Sequence, residues 1–248
     1  MADSSPPLTA AIIAKDEQRN IAACLGTIGW AAERLVLDGG SRDRTIELAL
    51  ALGARVEQRP FDDFARQRNA AMALASHNWI LFVDADERVT PELACEVDYT
   101  MNAPDHDGYF IPRYNEIFGK VIRHSGWYPD YQMRLLDRRF TCYDEAVPVH
   151  EVVRLTRGQP GYLSQHFVHY NYRTVRQFFE KQERYAAFEA EQLRRNGGAP
   201  ARALVTMPLR EFARRYWSLQ GYRDGGHGLL LSLFMAYFTF RRYWQCSS

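Results

Sequence analysis

The sequence lacks the features that mark several specialised classes of protein. Its four cysteines, Cys24, Cys95, Cys142 and Cys246, form no closely spaced pair, so we expect neither a zinc site nor a disulfide framework. A reducing compartment fits this pattern. The formal net charge is only +1, whereas general nucleic-acid binders usually carry a large basic excess. We therefore expect no nucleic-acid partner.

Signals for export or membrane insertion are also missing from the sequence. The first residues, MADSSPP, contain neither the basic segment nor the apolar stretch of a signal peptide. The longest strongly apolar run, residues 228–240, is shorter than the roughly 20 residues that a membrane-spanning helix needs. These absences predict a cytoplasmic protein that is either soluble or peripheral to a membrane.

What the sequence does contain is an alternation of strand-like and helix-like segments over its first hundred residues. Apolar runs at 8–14, 35–37 and 79–83 are typical of strands, and residues 55–57 form a weaker strand-like segment. Between them, apolar residues at helical spacing predict helices near 21–28, 44–52 and 64–75. This alternation predicts an α/β fold with a mostly parallel central sheet and helices on both faces.

The rest of the chain changes character twice. Residues 108–169 are rich in aromatic side chains and short strand-like stretches, which predicts mixed or antiparallel structure. Residues 174–196 have a helical pattern that Gly197 and Gly198 end, and two further helical segments are predicted at 209–220 and 229–243. We therefore divide the chain into an α/β domain, residues 1–170, and a helical C-terminal region, residues 171–248.

Acidic side chains follow the predicted strands. In parallel sheets, ligands bind beyond the carboxyl ends of the strands. Asp84 and Asp86 follow the strand at 79–83, and two carboxylates at this spacing can share one Mg²⁺ or Mn²⁺ ion. The alternative interpretation is a polar turn that caps the next helix. Asp38 ends the strand at 35–37 and opens a glycine-containing turn, where it either binds a base or ribose or belongs to a simple turn.

Four segments together resemble family 2 of the glycosyltransferases, which has the GT-A fold. They are IIAKDE at 12–17, DGGSRDRT at 38–45, RQRN at 66–69 and WILFVDADE at 79–87. The later VHE at 149–151 and DGGHGL at 224–229 resemble a subgroup that builds bacterial lipopolysaccharide core and related surface glycans. The resemblance covers most of the chain and is most specific in its first third.

The resemblance implies roles for matching positions. It implies that nucleotide-sugar contacts come from Ala14, Glu17, Asp38, Arg68 and Asp84. It implies that Asp86, with Asp84, holds the divalent cation, Mg²⁺ or Mn²⁺, that bridges the diphosphate. At Asp16 this sequence departs from relatives that commonly have asparagine, which leaves the role of that side chain open.

Inverting sugar transfer also needs a carboxylate that takes the proton from the acceptor hydroxyl. The resemblance makes Glu151 the candidate base, with Asp130 and Asp144 as competitors. His150 beside it is a candidate for the diphosphate, the metal or the acceptor. The alternative interpretation places His150 and Glu151 on a solvated strand edge.

Candidate acceptor contacts lie in the aromatic middle of the chain. Aromatic faces pack on sugar rings and arginine pairs with acidic groups, which points to Trp127, Tyr128, Asp130 and Arg134. Aromatic residues in such domains are more often core. Further candidates for the diphosphate site are His166, His169 and Tyr170, with a structural role for the histidines as the alternative.

The C-terminal region is basic and aromatic. From Arg202 onward it has seven arginines and only two carboxylates, Glu211 and Asp224, which leaves five positive charges. Arginines beside apolar helical faces predict contact with an anionic membrane surface, on the inner face of the cytoplasmic membrane. The alternative is packing on the catalytic domain or on a second subunit.

We therefore predict an inverting glycosyltransferase that moves a sugar from a nucleotide-sugar donor, a UDP-sugar by family analogy, to a cell-envelope glycan, lipopolysaccharide core or lipid-linked acceptor. One alternative is a synthase that loads a sugar onto polyprenyl phosphate. Alternatives from other classes are a nucleotidyltransferase and a membrane-bound scaffold that binds nucleotide sugars without turnover.

Overall fold

The computed structural model describes residues 7–146 and 152–247. The chain forms two compact units. The first takes the residues up to Arg113 and Tyr131–His169, and the second takes Tyr114–Asp130 and the residues from Tyr170 on. The sequence pattern gave no sign that 114–130 belongs with the C-terminal helices. The division into 1–170 and 171–248 stays a prediction.

The first unit begins with four parallel strands in the order β3-β2-β1-β4. The strands and the helices between them are β1 (Leu8–Ala14), α1 (Ile21–Gly26), β2 (Glu33–Asp38), α2 (Thr45–Ala51), β3 (Arg55–Gln58), α3 (Phe64–Leu74) and β4 (Trp79–Phe82). Each predicted element of the first eighty residues is therefore present, with ends shifted by a few residues. Because β1 lies between β2 and β4, the chain order differs from the order in the sheet.

Alternate residues of these strands belong to two different apolar layers. Leu81 lies in one buried cluster with Ile12, whereas its neighbours Ile80 and Phe82 lie in the other with Leu37. Successive strand residues point to opposite faces, so each face must be covered by helices. The predicted sheet with helices on both faces is confirmed.

Antiparallel pairing extends the sheet beyond β4. The order continues β4-β8-β6-β12-β5, with β4–β8 and β12–β5 antiparallel, and β9 and β10 form a separate pair. The remaining elements up to residue 172 are β5 (Glu87–Val89), α4 (Pro91–Asn102), β6 (Gly108–Ile117), β7 (Lys120–Ile122), β8 (Asp130–Asp137), β9 (Thr141–Tyr143), β10 (Val153–Leu155), β11 (Gly161–Tyr162) and β12 (Phe167–Tyr172). The mixed structure predicted for 108–169 is thus present.

Side-chain caps fix where two of the helices begin. The carboxylate of Asp63 accepts the backbone N–H of Arg66 at 2.8 Å and starts α3. The hydroxyl of Thr90 accepts the N–H of Leu93 at 3.2 Å and starts α4, which has Pro91 in its first turn. Each cap satisfies a backbone donor that a helix end leaves without a partner.

The second unit is built around three helices, α5 (Val175–Arg195), α6 (Ala203–Ala213) and α7 (Gly226–Ser247), and α7 packs against both of the others. Phe178 is buried at the centre of its aromatic core, in contact with Tyr172, Phe234 and Phe238. Within the described residues, no helix is long and apolar enough to cross a membrane.

Helix α6 differs from its prediction. We expected a helix only from residue 209, but α6 begins at Ala203 and contains Pro208. A proline inside a helix removes one backbone hydrogen bond, so sequence reasoning favours a start after it. The helix continues as a wider π-helical turn, Arg214–Ser218, and a short 3₁₀ turn, Gly221–Asp224, follows before α7.

The DGGHGL segment is structural within the second unit. The buried carboxylate of Asp224 accepts the backbone N–H of His124 at 2.8 Å and lies 3.0 Å from Nδ1 of the same residue. The ammonium of Lys120 donates to the Asp224 carbonyl at 2.7 Å. A side chain at Gly228 would place its Cβ 1.8 Å from the carbonyl oxygen of Gly221, so only glycine fits there. These contacts tie α7 to the segment around β7.

Candidate functional site

The predicted polar residues meet at one edge of the first unit's sheet. Ala14, the last residue of β1, pairs with Asp38, the last residue of β2. On the other side of β1, the N–H of Val83 donates to the Ala11 carbonyl at 3.0 Å, directly before Asp84. Parallel strands end at a common edge, so Asp38 and Asp84 follow strands that flank β1 on its two sides.

The carboxylate of Asp38 shapes the turn that follows it. One of its oxygens accepts the backbone N–H groups of Gly40 and Ser41 at 2.8 and 2.9 Å, and the other accepts the Ser41 hydroxyl. Gly40 has φ of 92°, a conformation that favours glycine. Asp38 is fully buried, so it holds the turn that would border a bound nucleotide.

The loop after β1 is bound to the loop after β2. Asp16 has φ of 57°, its N–H donates to the Ser41 hydroxyl, and its carboxylate accepts the N–H of Arg42 at 2.8 Å. The N–H of Glu17 donates to the Thr45 hydroxyl at 2.8 Å. Asp and Asn both tolerate the left-handed conformation and both can accept the Arg42 N–H. An aspartate at position 16, where relatives commonly have asparagine, is therefore compatible with this loop.

Asp84 lies among three arginine side chains. Its two carboxylate oxygens lie 2.8 Å from Nη2 of Arg68 and 2.5 Å from Nη2 of Arg134, and Nη1 of Arg113 lies at 4.0 Å. Burial would raise the pKa of Asp84, but the charges of Arg134, Arg68 and Arg113 outweigh it and hold this pKa well below its usual range. The Asp84 carboxylate is thus a fixed anion that anchors guanidinium groups.

Glu87 is a fully buried carboxylate on the same loop. Its oxygens accept the backbone N–H of Asp84 at 3.0 Å and Nη1 of Arg113 at 3.0 Å. The antiparallel register of β5 and β12 places His169 directly opposite Glu87. Glu87 therefore fixes the loop that carries Asp84 and Asp86 and joins it to the strand that carries His169.

A thiol lies beneath the same loop. Sγ of Cys24, in α1, lies 3.5 Å from the Asp84 carbonyl oxygen. Burial raises the pKa of this thiol, so it stays protonated and acts as a weak donor. Cys24 is therefore a packing residue of the loop.

Asp86 is the acidic residue best placed to bind a cation. Its carboxylate is partly exposed, and its Oδ2 lies 3.3 Å from Nε2 of His169. In the described part of the chain, no group of three or more metal-ligating side chains converges. Mg²⁺ and Mn²⁺ nevertheless bind commonly through one or two protein ligands together with substrate phosphates. Asp86 and His169 fit such a partial shell, whereas Asp84 is already neutralised by arginines.

The candidate acceptor residues are divided between the two units. Arg134 is buried in the first unit against Asp84. In the second unit, Trp127 packs against Tyr172 and Phe178, which gives its ring a core role. The Tyr128 ring lies 4.3 Å from that of Tyr114. Acceptor binding by these residues stays a prediction.

The structure describes only two of the three candidate bases, and it does not describe His150, the remaining candidate acceptor residue. Glu151 and His150 lie outside the described residues. Asp144 accepts the Ala146 N–H and pairs with Arg154, and both contacts lower its pKa, so it is a poor base. Asp130 lies in the second unit, 3.3 Å from the amide nitrogen of Asn115. The base stays a prediction.

Arg113 and Glu87 were missed as site residues. Arg113 lies within β6 directly after the apolar and aromatic residues 109–112, and Glu87 directly follows the DAD sequence. A charge beside such an apolar run needs a counter-charge once the strand is buried, which is the signal that could have identified Arg113. Its partner Glu87 could not be identified from the sequence, because only the folded chain brings β6 beside the loop after β4.

Comparisons with known proteins identify the family. The family model for glycosyl transferase family 2 matches residues 9–149, which is more than half of the chain. The chain belongs to glycosyl transferase family 2. An uncharacterized glycosyltransferase of Rickettsia bellii is 24% identical over 247 residues, covering 95% of this chain and 84% of that protein. The predicted family is confirmed.

Two other similar proteins extend the comparison of this family 2 glycosyltransferase. The lipopolysaccharide core biosynthesis glycosyltransferase LpsC of Rhizobium meliloti is 25% identical over 243 residues, covering 94% of this chain and 89% of that protein. The crystal structure of S. aureus TarS 1–349 in complex with UDP covers 97% of this chain and 92% of that chain, with TM-score 0.51 and 15% identity. That likeness concerns the fold alone. The predicted GT-A architecture with C-terminal helices is confirmed.

Proposed function

We propose that this glycosyltransferase moves a sugar from a UDP-sugar to a cell-envelope glycan, with lipopolysaccharide core as the acceptor class, and inverts the anomeric centre. The observation that supports a nucleotide-sugar donor is the pair formed by Asp86 and His169 beside Asp84, which is anchored by arginines. The similarity to LpsC supports the acceptor class. The family supports transfer of a sugar over transfer of a nucleotidyl group and over a scaffold without turnover.

In this proposal the strand-end loops bind the nucleotide. Ala14, Glu17 and the turn held by Asp38 form one side of the pocket, and Arg68 and Asp84 form the other. Because Arg68 and Arg134 share the Asp84 carboxylate, their positive charges are held at the site before the donor binds. Preorganised charges of this kind stabilise anions without a reorganisation cost.

The metal, Mg²⁺ or Mn²⁺, would be held by Asp86 and His169 together with the donor's phosphates. When bound, a cation there supplies Lewis-acid stabilisation of charge on the leaving diphosphate. The imidazole of His169 would present Nε2 as a ligand, and the adjacent carboxylate of Asp86 would supply negative charge. Asp84 contributes through its arginines in this arrangement.

The chemical step is a single displacement at the anomeric carbon. We propose Glu151 as the base that removes the proton from the acceptor hydroxyl as the oxygen attacks. The C–O bond to the donor diphosphate breaks as the new glycosidic bond forms, which inverts the configuration. Trp127, Tyr128, Asp130, Arg134 and His150 are the proposed acceptor contacts.

We further propose that α6 contacts an anionic membrane surface at the inner face of the cytoplasmic membrane. Val205 and Leu209 are exposed on this helix. Arg202 and Arg210 have no carboxylate partner in the described part of the chain, so their charges are available to lipid phosphates. A lipid-linked acceptor would lie at such a surface.

The decisive experiment combines donor binding with turnover. Calorimetry with a panel of nucleotide sugars, with and without Mn²⁺, should identify a UDP-sugar whose binding the metal strengthens. Asp86→Ala should abolish metal-dependent binding and lower turnover at least about a hundredfold, with unchanged circular dichroism. The matched control is Asp98→Ala, since Asp98 is exposed on α4 and should leave turnover unchanged.

The products separate the alternatives. Transfer to lipopolysaccharide core with release of UDP supports the proposal, whereas transfer only to polyprenyl phosphate would replace the acceptor. Release of inorganic diphosphate would indicate a nucleotidyltransferase. Donor binding without turnover on any acceptor, unchanged in Glu151→Gln, would indicate a scaffold. Full activity of Asp86→Ala would remove the proposed metal site.

A further inference from the structure

Helix α7 has a row of exposed apolar side chains on the side away from its own core. The row, called the α7 seam here, consists of Leu230, Leu233, Tyr237, Phe240 and Trp244, and these residues are 37–53% exposed. On the same helix, Leu231 and Phe238 are buried in the core of the second unit. The helix is therefore apolar on two faces, one buried in the core of the second unit and the other partly exposed.

The spacing along the seam is that of a helix–helix contact. Its residues follow one another at intervals of three, four, three and four, which is the a/d pattern of a coiled coil. A strict a/d row is narrower than the apolar face by which a helix packs on a globular core. It is also narrower than the broad face by which a helix lies in a lipid surface. The seam therefore fits another helix.

The charges near the seam favour a protein partner over a membrane. From Gly226 to Phe240 the helix has no Asp, Glu, Lys or Arg. At its C-terminal end, Arg241 pairs with Glu183, and Nη1 of Arg242 lies 2.7 Å from Glu189. These cations are neutralised within the chain, so the seam lacks the available arginines of α6 that an anionic lipid surface would attract.

We propose that the α7 seam is a homodimer contact, in which it packs antiparallel against the α7 seam of a second copy of this chain. Two identical uncharged rows can meet without like-charge repulsion, and a two-fold axis makes such a contact self-complementary. With about 150–250 Å² for each full side chain, the observed exposures leave roughly 330–550 Å² of apolar surface on each copy. Two copies can therefore bury at most about 1,000 Å², which is the lower limit for a specific interface.

The sizes of the side chains favour the antiparallel arrangement. A two-fold axis at Tyr237 places Leu230 opposite Trp244 of the second copy and Leu233 opposite Phe240. Each small side chain then faces a large one, which fills the space between two helices evenly. A parallel arrangement would place Trp244 against Trp244 and Phe240 against Phe240 and leave the leucine end loosely packed.

The test is the oligomeric state of the full chain in lipid-free buffer, measured by sedimentation and light scattering over a concentration series. The wild type should form a dimer. Leu233→Glu and Phe240→Arg, both at exposed positions, should each weaken dimerisation at least about tenfold, because a charge would be buried at the seam. The double variant should regain the dimer, since the two charges face each other only in the antiparallel arrangement. Tyr99→Glu is the matched control, on an exposed residue of α4 in the first unit.

Each other outcome overturns the proposal. A wild type that stays monomeric at all concentrations has no such contact, and if it then binds anionic vesicles through the seam, the occupant is a membrane. A dimer that survives Leu233→Glu and Phe240→Arg forms elsewhere. Failure of the double variant to regain the dimer, while both single variants lose it, rules out antiparallel packing. Circular dichroism of each variant confirms that the helices are retained.

Discussion

The acidic edge of the first unit and the α7 seam of the second differ in how far their side chains are buried and bonded within the chain. At the edge, Asp38, Asp84 and Glu87 are buried or half-buried, and the carboxylate of each accepts at least two hydrogen bonds. Along the seam, apolar side chains remain exposed although the helix behind them is well packed. The first region is fixed before a ligand arrives, and the second has surface left for a partner. Changes at the edge should therefore affect stability and donor binding, whereas changes on the outer face of the helices should affect association.

The largest expected effect on stability comes from Asp84→Asn. The variant leaves the buried guanidinium groups of Arg68 and Arg134 without their anion, which should lower the free energy of unfolding by about 3 kcal/mol. Urea unfolding of both proteins near pH 7 measures the difference. An unchanged free energy would mean that Asp84 does not anchor the arginines.

The pH dependence of that difference follows from the depressed pKa of Asp84. Because this pKa is lower in the folded protein than in the unfolded chain, the carboxylate's contribution is complete above about pH 4 and decreases as the pH falls further. The stability gap between wild type and Asp84→Asn should therefore narrow below that pH. A gap that stays constant down to acid unfolding would contradict the assignment.

A smaller effect, confined to the second unit, is expected for Asp224→Ala. Its loss leaves the N–H of His124 without its acceptor, which should destabilise this unit by about 2 kcal/mol. Hydrogen exchange should become faster in 120–125 and α7, whereas the affinity for UDP should stay the same. Lower UDP affinity without faster exchange would mean that the DGGHGL segment acts on the donor.

Glu87→Gln tests the assignment of Asp86 and His169 as the metal ligands. Glutamine can still accept the Asp84 N–H but no longer neutralises Arg113, so the loop should hold Asp86 less firmly. We expect about tenfold weaker Mn²⁺ binding in the presence of UDP, measured by titration calorimetry. Glu92→Gln, on an exposed carboxylate of α4, is the control. Equal Mn²⁺ affinity in both variants and the wild type would mean that Glu87 does not position the metal ligands.

The smallest expected effect is chemical. Cys95 and Cys142 are exposed and should react with a thiol reagent in the folded protein, whereas Cys24 is buried with a raised pKa and should not. Mass spectrometry of peptides after timed labelling measures this. Labelling of Cys24 as fast as Cys95 would show that the Asp84 loop opens readily.

The sequence allowed the sheet and its acidic edge to be predicted because both depend on local patterns. The apolar runs ending at Ala14, Leu37 and Val83 predicted the ends of three strands nearly to the residue. The contacts that give the edge its chemistry are long-range. Arg134 lies fifty residues from Asp84, and β12 brings His169 to Asp86 only through antiparallel pairing with β5.

The helical region was harder to predict for a related reason. Pro208 lies within α6 and lowers the local preference of this segment for a helix. Packing against α7 overrides that weak preference. The membership of 114–130 in the second unit depends on Asp224 and its contact with His124, one hundred residues away. Neither feature has a local pattern from which it could be recognised.

The contact between Gly228 and the Gly221 carbonyl has a consequence for how the chain can vary. With 1.8 Å of room for a Cβ, even alanine would force the start of α7 away from the preceding turn. Position 228 therefore acts as a spacer of fixed thickness, and the fold should tolerate no substitution there, whereas the fold itself should tolerate substitution at exposed Leu233, five residues further along the helix. The same helix thus contains one position where any added atom would displace the start of the helix and another where a change would alter association and leave the fold intact.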